Sequence, residues 1–303
     1  MSWAVGRIDE VAFEQLASGL AGTELQSLLL EVMRRRAAAR TPAEVMAQYR
    51  RDRFVYPAPI DQRTLHAIDG HLLAAADRFE AIELSPIAPL ATSSCVALTD
   101  QHRVVSALRG TEVVSDPTNV LALECATRMP GPTHLATSQR VVRAQPVPDV
   151  PGFTQHFRIF VLASAGVEAK AHAFTIATLV LHIQTLLAAL DRCEQHGYAF
   201  GSRRLVVLAT PPRAALADAV AAAITGLPVT REPLDHAYYS GGIRYMLWAT
   251  TPDGREVPLG DGGSFDWLGK LAANRRAVFV ASGLGAQLIA LAFSTDPADP
   301  LRT

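Results

Sequence analysis

Residues 237–268 read AYYSGGIRYMLWATTPDGREVPLGDGGSFDWL. Aromatic and small residues alternate through this stretch, and the turn residues of PDGRE divide it into two halves, which predicts two antiparallel strands. Gly262 and Gly263 then indicate either a bulge or a close approach of the backbone to a ligand. The stretch therefore predicts a hairpin, and it leaves open whether that hairpin also borders a binding pocket.

Further β-type segments and long helical segments accompany this hairpin. FEAIELSPIAPL alternates like a strand that ends in prolines. The other strand-like segments are RVVSALRG, VVSD, RVVRAQ, FRIFVLASAG, RLVVLAT and AVFVASG. Helices are predicted at residues 62–78, at 168–196, at PRAALADAVAAAI and at 284–293. Strands joined by turns and interleaved with helices predict an α+β fold, in which helices pack against one face of a mainly antiparallel sheet.

The N-terminal segment, residues 1–53, is predicted to be a separate helical extension. Thr23 with Gln26 and Thr41 with Glu44 have the spacing of capping boxes, and Pro42 suits the first position of a helix. YPAPID then breaks the helical pattern because proline restricts its own backbone and that of the preceding residue. We therefore expect a core domain over residues 54–303, whereas the role of the extension stays open.

Composition excludes several classes of protein. The chain has 28 basic and 29 acidic side chains among 303 residues, so its overall charge does not favour binding to nucleic acid or to an anionic membrane. Cys95, Cys125 and Cys193 are too few and too widely spaced for a disulfide framework or a zinc site. We find no signal-peptide pattern in the first ten residues and no uninterrupted stretch of 18 apolar residues. A soluble cytoplasmic protein without a metal site is expected.

The segments FEAIELSPIAPL, VVSDPTNV, RVVRAQPVPDVPGFTQHFRIFVLASAG, YYSG with GDGGSFDWL, and RRAVFVASGLGAQLIALAF follow one another between residues 56 and 293. Their order resembles the catalytic core of class II aminoacyl-tRNA synthetases, and among these the histidyl enzyme and its paralogues. The first, third and fifth segments resemble motifs 1, 2 and 3. In that family, motif 1 forms the dimer interface, so the resemblance implies a homodimer.

The resemblance also implies the residues of a ligand site. Asp116 and Thr118 match an acid and a threonine that hold the α-amino group of the amino acid. Arg143 matches the motif 2 arginine that holds the ATP α-phosphate. The full implied amino-acid site is Asp116, Thr118, Tyr238, Tyr239, Gly241, Gly262 and Gly263.

Each of these residues also has a plain structural interpretation. Asp116 before Pro117 suits the N-cap of a helix, and this role is compatible with ligand binding. Tyr238 and Tyr239 are expected on a strand, one on each face, so that at most one of them faces a pocket. Arg143 also suits an ordinary ion pair.

Neither neighbouring histidine indicates catalysis. His156 and His236 lie near the implied site, but no acid or serine stands at a partner spacing from either.

The departures from the family pattern bear most directly on catalysis. The resemblance predicts arginines near Gln287 and at Ser264 and an acid at Gln145, and the return strand of motif 2 is apolar where the family has polar and acidic side chains. Adenylate formation depends on such positive charge against the phosphates. We therefore assign no catalytic residue, and ATP and Mg²⁺ are expected only if the protein still adenylates an amino acid.

The chain ends about ten residues after the predicted motif 3 helix, so we expect no anticodon-binding domain and no tRNA substrate. A paralogue with these properties is similar to the regulatory subunit of ATP phosphoribosyltransferase. That resemblance implies histidine or a related amino acid as ligand and a short-form ATP phosphoribosyltransferase as partner. Two alternatives stay open, namely an amino-acid-adenylating ligase acting outside translation and a scaffold with a vestigial pocket.

Overall fold

A computed structural model describes residues 6, 8–145 and 154–295. In these ranges the helices are α1 (Glu10–Glu14), α2 (Gly22–Ala38), α3 (Pro42–Arg51), α4 (Gln62–Ala75), α5 (Pro117–Thr127), α6 (Ala173–Glu194), α7 (Ala214–Ala223), α8 (Trp267–Leu271) and α9 (Ala286–Phe293). The strands are β1 (Glu80–Ala81), β2 (Ile87–Pro89), β3 (Ser106–Ala107), β4 (Thr111–Val113), β5 (Thr133–Val142), β6 (His156–Val167), β7 (Arg203–Ala209), β8 (Val229–Pro233), β9 (Ile243–Thr250), β10 (Glu256–Phe265) and β11 (Ala277–Leu284).

Helices α1, α2 and α3 form the N-terminal part of the described chain. The capping box that was predicted at the start of α3 is confirmed, because Thr41 Oγ1 accepts from the Glu44 amide at 3.3 Å and the Glu44 carboxylate accepts from the Thr41 amide at 2.7 Å. The predicted cap at Thr23 is wrong. The N-cap of α2 is Ala21, two residues before Thr23, and the Glu24 carboxylate accepts from the Ala21 amide. No described residue before Leu65 is buried.

An eight-stranded sheet with the order β1-β5-β6-β11-β10-β9-β7-β8 forms the centre of the described chain. The pairs β1 with β5 and β7 with β8 are parallel, whereas the other neighbours are antiparallel. The prediction of an α+β fold with a mainly antiparallel sheet is confirmed. Strands β2, β4 and β3 form a separate small sheet.

Helices cover both faces of the large sheet. Successive side chains of a strand point to opposite faces, so Phe160 and Leu162 of β6 join one apolar core, whereas Val161 and Ala163 join another. The first core includes residues of α4, α6, α7 and α9, and the second includes residues of α5 and α8. The expectation that helices pack against one face is therefore wrong, because the central strands are apolar on both sides and each face must be covered.

The segment FEAIELSPIAPL was predicted to be one strand, and this prediction is also wrong. Glu80 of β1 pairs with Leu135 in the large sheet, whereas Ile87 of β2 pairs with Val113 in the small sheet. Pro86 lies between the two short strands and has no amide hydrogen to donate to a sheet. The chain therefore leaves one sheet and enters the other within this segment.

Residues Lys170–Glu194 form a helical stretch that is long and apolar enough, by length and composition, to span a membrane, and an 18-residue window of it has a mean hydropathy of 1.9. Half of that window is buried in the protein. His182 at its middle is fully buried and bonds through Nε2 to Ser164 Oγ at 2.7 Å and through Nδ1 to Ser282 Oγ at 2.9 Å. Helix α6 thus packs against the sheet in the protein core. Cytoplasmic localisation stays a prediction.

Candidate functional site

A cavity of about 350 Å³ lies on the sheet face that carries α5, where the start of α5 meets strands β10 and β11. Six residues predicted from the sequence line it, namely Asp116, Thr118, Arg143, Tyr238, Tyr239 and Gly262. Pockets that bind small molecules generally have volumes of about 300–1,000 Å³. The cavity therefore has room for a small metabolite.

Asp116 both caps α5 and faces the cavity. Its Oδ1 accepts from the Thr118 amide at 3.0 Å and from Thr118 Oγ1 at 2.7 Å. Its Oδ2 accepts from the Tyr238 hydroxyl at 3.2 Å and lies 3.8 Å from Arg143 Nη2. Thus Oδ1 caps the helix, and Oδ2 faces the other polar groups of the cavity.

Tyr238 and Tyr239 both point into the cavity, which corrects the expectation that at most one of them does so. They lie in a turn between β8 and β9, outside any strand, so the alternation of side chains that limits a strand does not apply to them. The Tyr238 hydroxyl contacts Asp116 and Thr118, whereas the Tyr239 hydroxyl donates to Asp261 Oδ2 at 2.5 Å. Burial, together with the adjacent carboxylate, raises the pKa of each tyrosine.

Arg244 and Asp261 form an ion pair in the cavity that the sequence interpretation missed. Arg244 Nη2 donates to Asp261 Oδ2 at 2.6 Å, and its guanidinium lies over the ring of Tyr239, 4.9 Å from the centroid. The two residues are diagonal neighbours on adjacent strands, because Asp261 of β10 pairs with Met246 of β9 and Arg244 pairs with Gly263. Only the strand register brings them together, although the acid does lie within the GDGG segment that was singled out.

Two further arginines contribute positive charge. Arg143 Nε donates to the Ser115 carbonyl at 3.1 Å, and its guanidinium lies 4.9 Å from the centre of the Phe157 ring. Arg103 also lines the cavity, and no sequence motif indicated it. The described lining thus contains Arg103, Arg143 and Arg244 against Asp116 and Asp261. A ligand in this cavity meets groups of both charges.

The predicted glycines have different locations. Gly262 lines the cavity, whereas Gly263 is absent from the described lining and Gly241 lines a neighbouring cavity. A Cβ atom on Gly241 would clash with the Oγ and the carbonyl oxygen of Ser264, and one on Gly263 would clash with the Ile243 carbonyl and the Tyr239 ring. Both positions therefore require glycine for close packing, Gly241 against Ser264 and Gly263 against Ile243 and Tyr239. Contact of either glycine with an amino acid stays a prediction.

No protein-family model and no curated protein matches the chain. Several solved structures match it. The apo histidyl-tRNA synthetase of S. aureus aligns with 76% of this chain at 13% identity and a TM-score of 0.56, and the chain spans 64% of that protein. A protein of Bacillus halodurans, described as an ATP phosphoribosyltransferase regulatory subunit/histidyl-tRNA synthetase, aligns with 78% of this chain at 14% identity and a TM-score of 0.56. The alignment covers 82% of that protein's length.

A histidine–tRNA ligase subunit from Alicyclobacillus acidocaldarius aligns with 77% of this chain and is covered over 95% of its length, at 13% identity and a TM-score of 0.57. The chain has the class II aminoacyl-tRNA synthetase fold. Identities this low establish the fold and leave the activity open.

Three positions where the resemblance predicts catalytic charge have uncharged side chains, Gln145, Ser264 and Gln287. Gln287 is buried at the start of α9 and lies outside the described cavity lining, as does Ser264, which lines the neighbouring cavity. Gln145 lines the cavity as an uncharged amide. The predicted motif 2 loop, residues 146–153, lies outside the described residues.

In synthetases this fold uses ATP with Mg²⁺. Val161 and Ala163 on β6 are apolar and buried in the core where the resemblance predicts polar and acidic groups. No cluster of three histidine, cysteine or acidic side chains suited to a metal ion occurs among the described residues, and we assign no step to Mg²⁺.

Proposed function

We propose that this chain is a non-translational protein of the class II synthetase fold that binds histidine or a related free amino acid and regulates a partner enzyme. The catalytic partner proposed is a short-form ATP phosphoribosyltransferase, because one solved structure of this fold carries the name of that enzyme's regulatory subunit. The protein is proposed to act as a homodimer, without tRNA and without a catalytic residue of its own.

The observation that carries the proposal is the position of the Asp116 carboxylate. Its Oδ2 accepts one hydrogen bond, from Tyr238, and lies 3.8 Å from Arg143, so it has capacity to accept from an ammonium group. Thr118 Oγ1 lies 3.2 Å from the same tyrosine hydroxyl and offers a second polar contact. Hydrogen bonds between charged groups are about twice as strong as neutral ones. An α-ammonium group is therefore the ligand group that this corner favours.

The opposite charges of the cavity suit the rest of a free amino acid. Arg143 or Arg103 is proposed to contact the α-carboxylate, since a guanidinium group can form a bidentate ion pair with a carboxylate. Tyr239 with Asp261 is proposed to border the side chain. Because Asp261 is a hydrogen-bond acceptor beside an aromatic ring, an imidazole N–H is a suitable partner for it.

The helices before the core provide a surface for a partner protein. Large apolar side chains that are exposed concentrate in and around these helices, up to the first two residues of the core, namely Ile8, Val11, Leu28, Val32, Met33, Val45, Met46, Tyr49, Phe54 and Val55. Extended exposed apolar surfaces commonly mark sites of protein–protein contact. We propose that this helical extension contributes to contact with the partner enzyme or with the second copy of the chain.

A second candidate function is adenylation of an amino acid for a pathway outside translation. The observation that favours it is the set of three arginines around the cavity, two of which no motif indicated. Arginines stabilise phosphates during such reactions. Against it stands the ion pair of Arg244 with Asp261, which already neutralises one of the three.

The experiment that tests the proposal is a thermal-shift panel of the twenty free amino acids, followed by activity measurements with the short-form ATP phosphoribosyltransferase. At a hundredfold excess over its dissociation constant, a ligand stabilises the fold by about 2.7 kcal/mol. We expect one amino acid, with histidine foremost, to raise the midpoint and to change the activity of the mixed enzymes. If no amino acid shifts the midpoint at millimolar concentration, the pocket is vestigial and the scaffold alternative gains.

A further inference from the structure

A second cavity, of about 530 Å³, lies beside the first and is separated from it by Phe265, which lines both. Its walls are the segment before α6, the start of α7 and the chain that leads into β11. None of the ligand contacts proposed above involves this cavity.

Positive side chains predominate in its described lining. Lys170, Arg213, Arg275 and Arg276 line it together with two acids. Each acid is already engaged. Glu168 accepts from the Ala169 amide at 3.0 Å and from the Thr175 hydroxyl at the start of α6. Asp266 accepts from Ser240 Oγ at 2.6 Å and pairs with Lys270 Nζ at 2.9 Å. In the described chain neither acid forms a salt bridge with any of the four cations, which outnumber the acids of the lining by two.

Two of these arginines are held by neutral groups. Arg213 Nε donates to the Gly241 carbonyl at 3.1 Å, and its Nη1 donates to His172 Nε2 at 3.0 Å. Arg276 Nη2 donates to the Glu168 carbonyl at 3.0 Å. Within the described chain, none of the four cations lies in a salt bridge with a carboxylate, whereas Arg203 and Arg204 on β7 both do. The arginines are positioned, and their charge is not neutralised.

The backbone beside the cavity adopts a conformation that non-glycine residues rarely hold. Ala171 has a φ of 54° and His172 a φ of 59°, both in the left-handed region. This pair of residues places the His172 ring between Arg213 and Glu168, whose Oε2 lies 3.5 Å from Nδ1. Sparsely populated backbone conformations cluster at ligand clamps and functional sites. Here the conformation fixes the direction of one guanidinium.

We infer that this cavity binds a phosphorylated small molecule. The phosphate would lie among Lys170, Arg213, Arg275 and Arg276, because guanidinium groups match the geometry of phosphate oxygens and an uncompensated cluster of cations favours a multiply charged anion. The organic part would contact the apolar wall, formed by Leu216, Phe265 and Val278. The site and its ligand are independent of the amino acid proposed for the first cavity.

Calorimetric titration of the full chain with inorganic phosphate and with phenyl phosphate, at constant ionic strength, tests this inference. We expect both probes to bind once per chain and phenyl phosphate to bind more tightly, because its ring reaches the apolar wall. The double variant Lys170→Gln/Arg275→Gln should weaken both affinities at least about tenfold. Both side chains are exposed, and neither forms a hydrogen bond or ion pair within the described chain, so the variant should keep the fold.

A control variant locates the binding. Arg255→Gln removes one positive charge from the turn between β9 and β10, outside the described lining of both cavities. It should leave the phosphate affinities unchanged. The inference is overturned if the wild-type chain binds neither probe at millimolar concentration, if the two probes bind equally, or if the control weakens binding as much as the double variant does.

Discussion

Replacing Asp116 by asparagine separates the two roles that this side chain has at the start of α5. Asparagine and aspartate cap helices about equally well, and an amide oxygen at the position of Oδ1 keeps the bonds to the Thr118 amide and hydroxyl. The change removes the negative charge on the cavity side, where Oδ2 meets the Tyr238 hydroxyl at 3.2 Å. We expect a small change in stability and a large change in ligand affinity.

The magnitudes follow from these contacts. The pairing with Arg143 is long, at 3.8 Å, and about a quarter of the Asp116 side chain is exposed, so losing it should cost below about 1 kcal/mol of unfolding free energy. A hydrogen bond between charged groups contributes about 1.5–3 kcal/mol. Losing that bond to an α-ammonium group should therefore weaken amino-acid binding by about ten- to a hundredfold.

The assay combines urea unfolding, which measures stability, with calorimetric titration of the amino acid that the thermal-shift panel selects. Asp61→Asn is the matched control, because Asp61 caps α4 through the Arg63 and Thr64 amides and does not line the described part of the cavity. That control should leave the affinity unchanged. Wild-type affinity in Asp116→Asn would refute the reasoning and leave Asp116 as a helix cap alone.

Three further outcomes are expected. Thr41→Ala removes the N-cap of α3 and should reduce helical circular dichroism while leaving amino-acid binding unchanged, since no residue of that helix is buried; a lost ligand response would contradict this. Tyr239→Phe removes the bond to Asp261 and should lower the unfolding free energy by about 1–2 kcal/mol at an unchanged urea m-value; an unaltered midpoint would contradict it. Burial lowers the pKa of His182 to about 3 from its ordinary 6.5. Between these two values the unfolded chain binds a proton at His182 and the folded chain does not, so the unfolding free energy decreases as the pH falls from 6.5 toward 3. The unfolding free energy of His182→Gln should accordingly fall less steeply below pH 6 than that of the wild type, and equal slopes would count against the assignment.

Much of the fold followed from local patterns in the sequence. The apolar periodicity of α6 and the capping box at Thr41 could both be predicted, because residues three and four positions apart in the sequence contact one another in a helix. Strand β6 and the last three residues of β5 were indicated by the segments FRIFVLASAG and RVVRAQ on either side of one loop, whereas the start of β5 was not predicted. The division of FEAIELSPIAPL between two sheets could not be predicted, because its strands pair with residues that are distant in the sequence.

The candidate site was predictable only in part, for a related reason. Asp116 and Thr118 lie two residues apart in one segment, so a motif could indicate them. Arg103 and Arg244 come from elements that meet only in the folded chain. Tyr238 and Tyr239 were assigned to a strand because their aromatic character favours strands, whereas the turn between β8 and β9 directs both rings to the cavity.

We propose that this chain retains the synthetase fold for ligand binding without amino-acid activation. Amino-acid-dependent exchange between ATP and pyrophosphate measures activation directly, with each of the twenty amino acids at saturating concentration. Gln287 and Ser264 stand where positive charge is expected, and each lost contact of this kind lowers the rate about a hundredfold or more. We predict no exchange above the background without amino acid. Robust exchange with any amino acid, abolished by Arg143→Ala, would contradict the claim and establish the adenylating alternative.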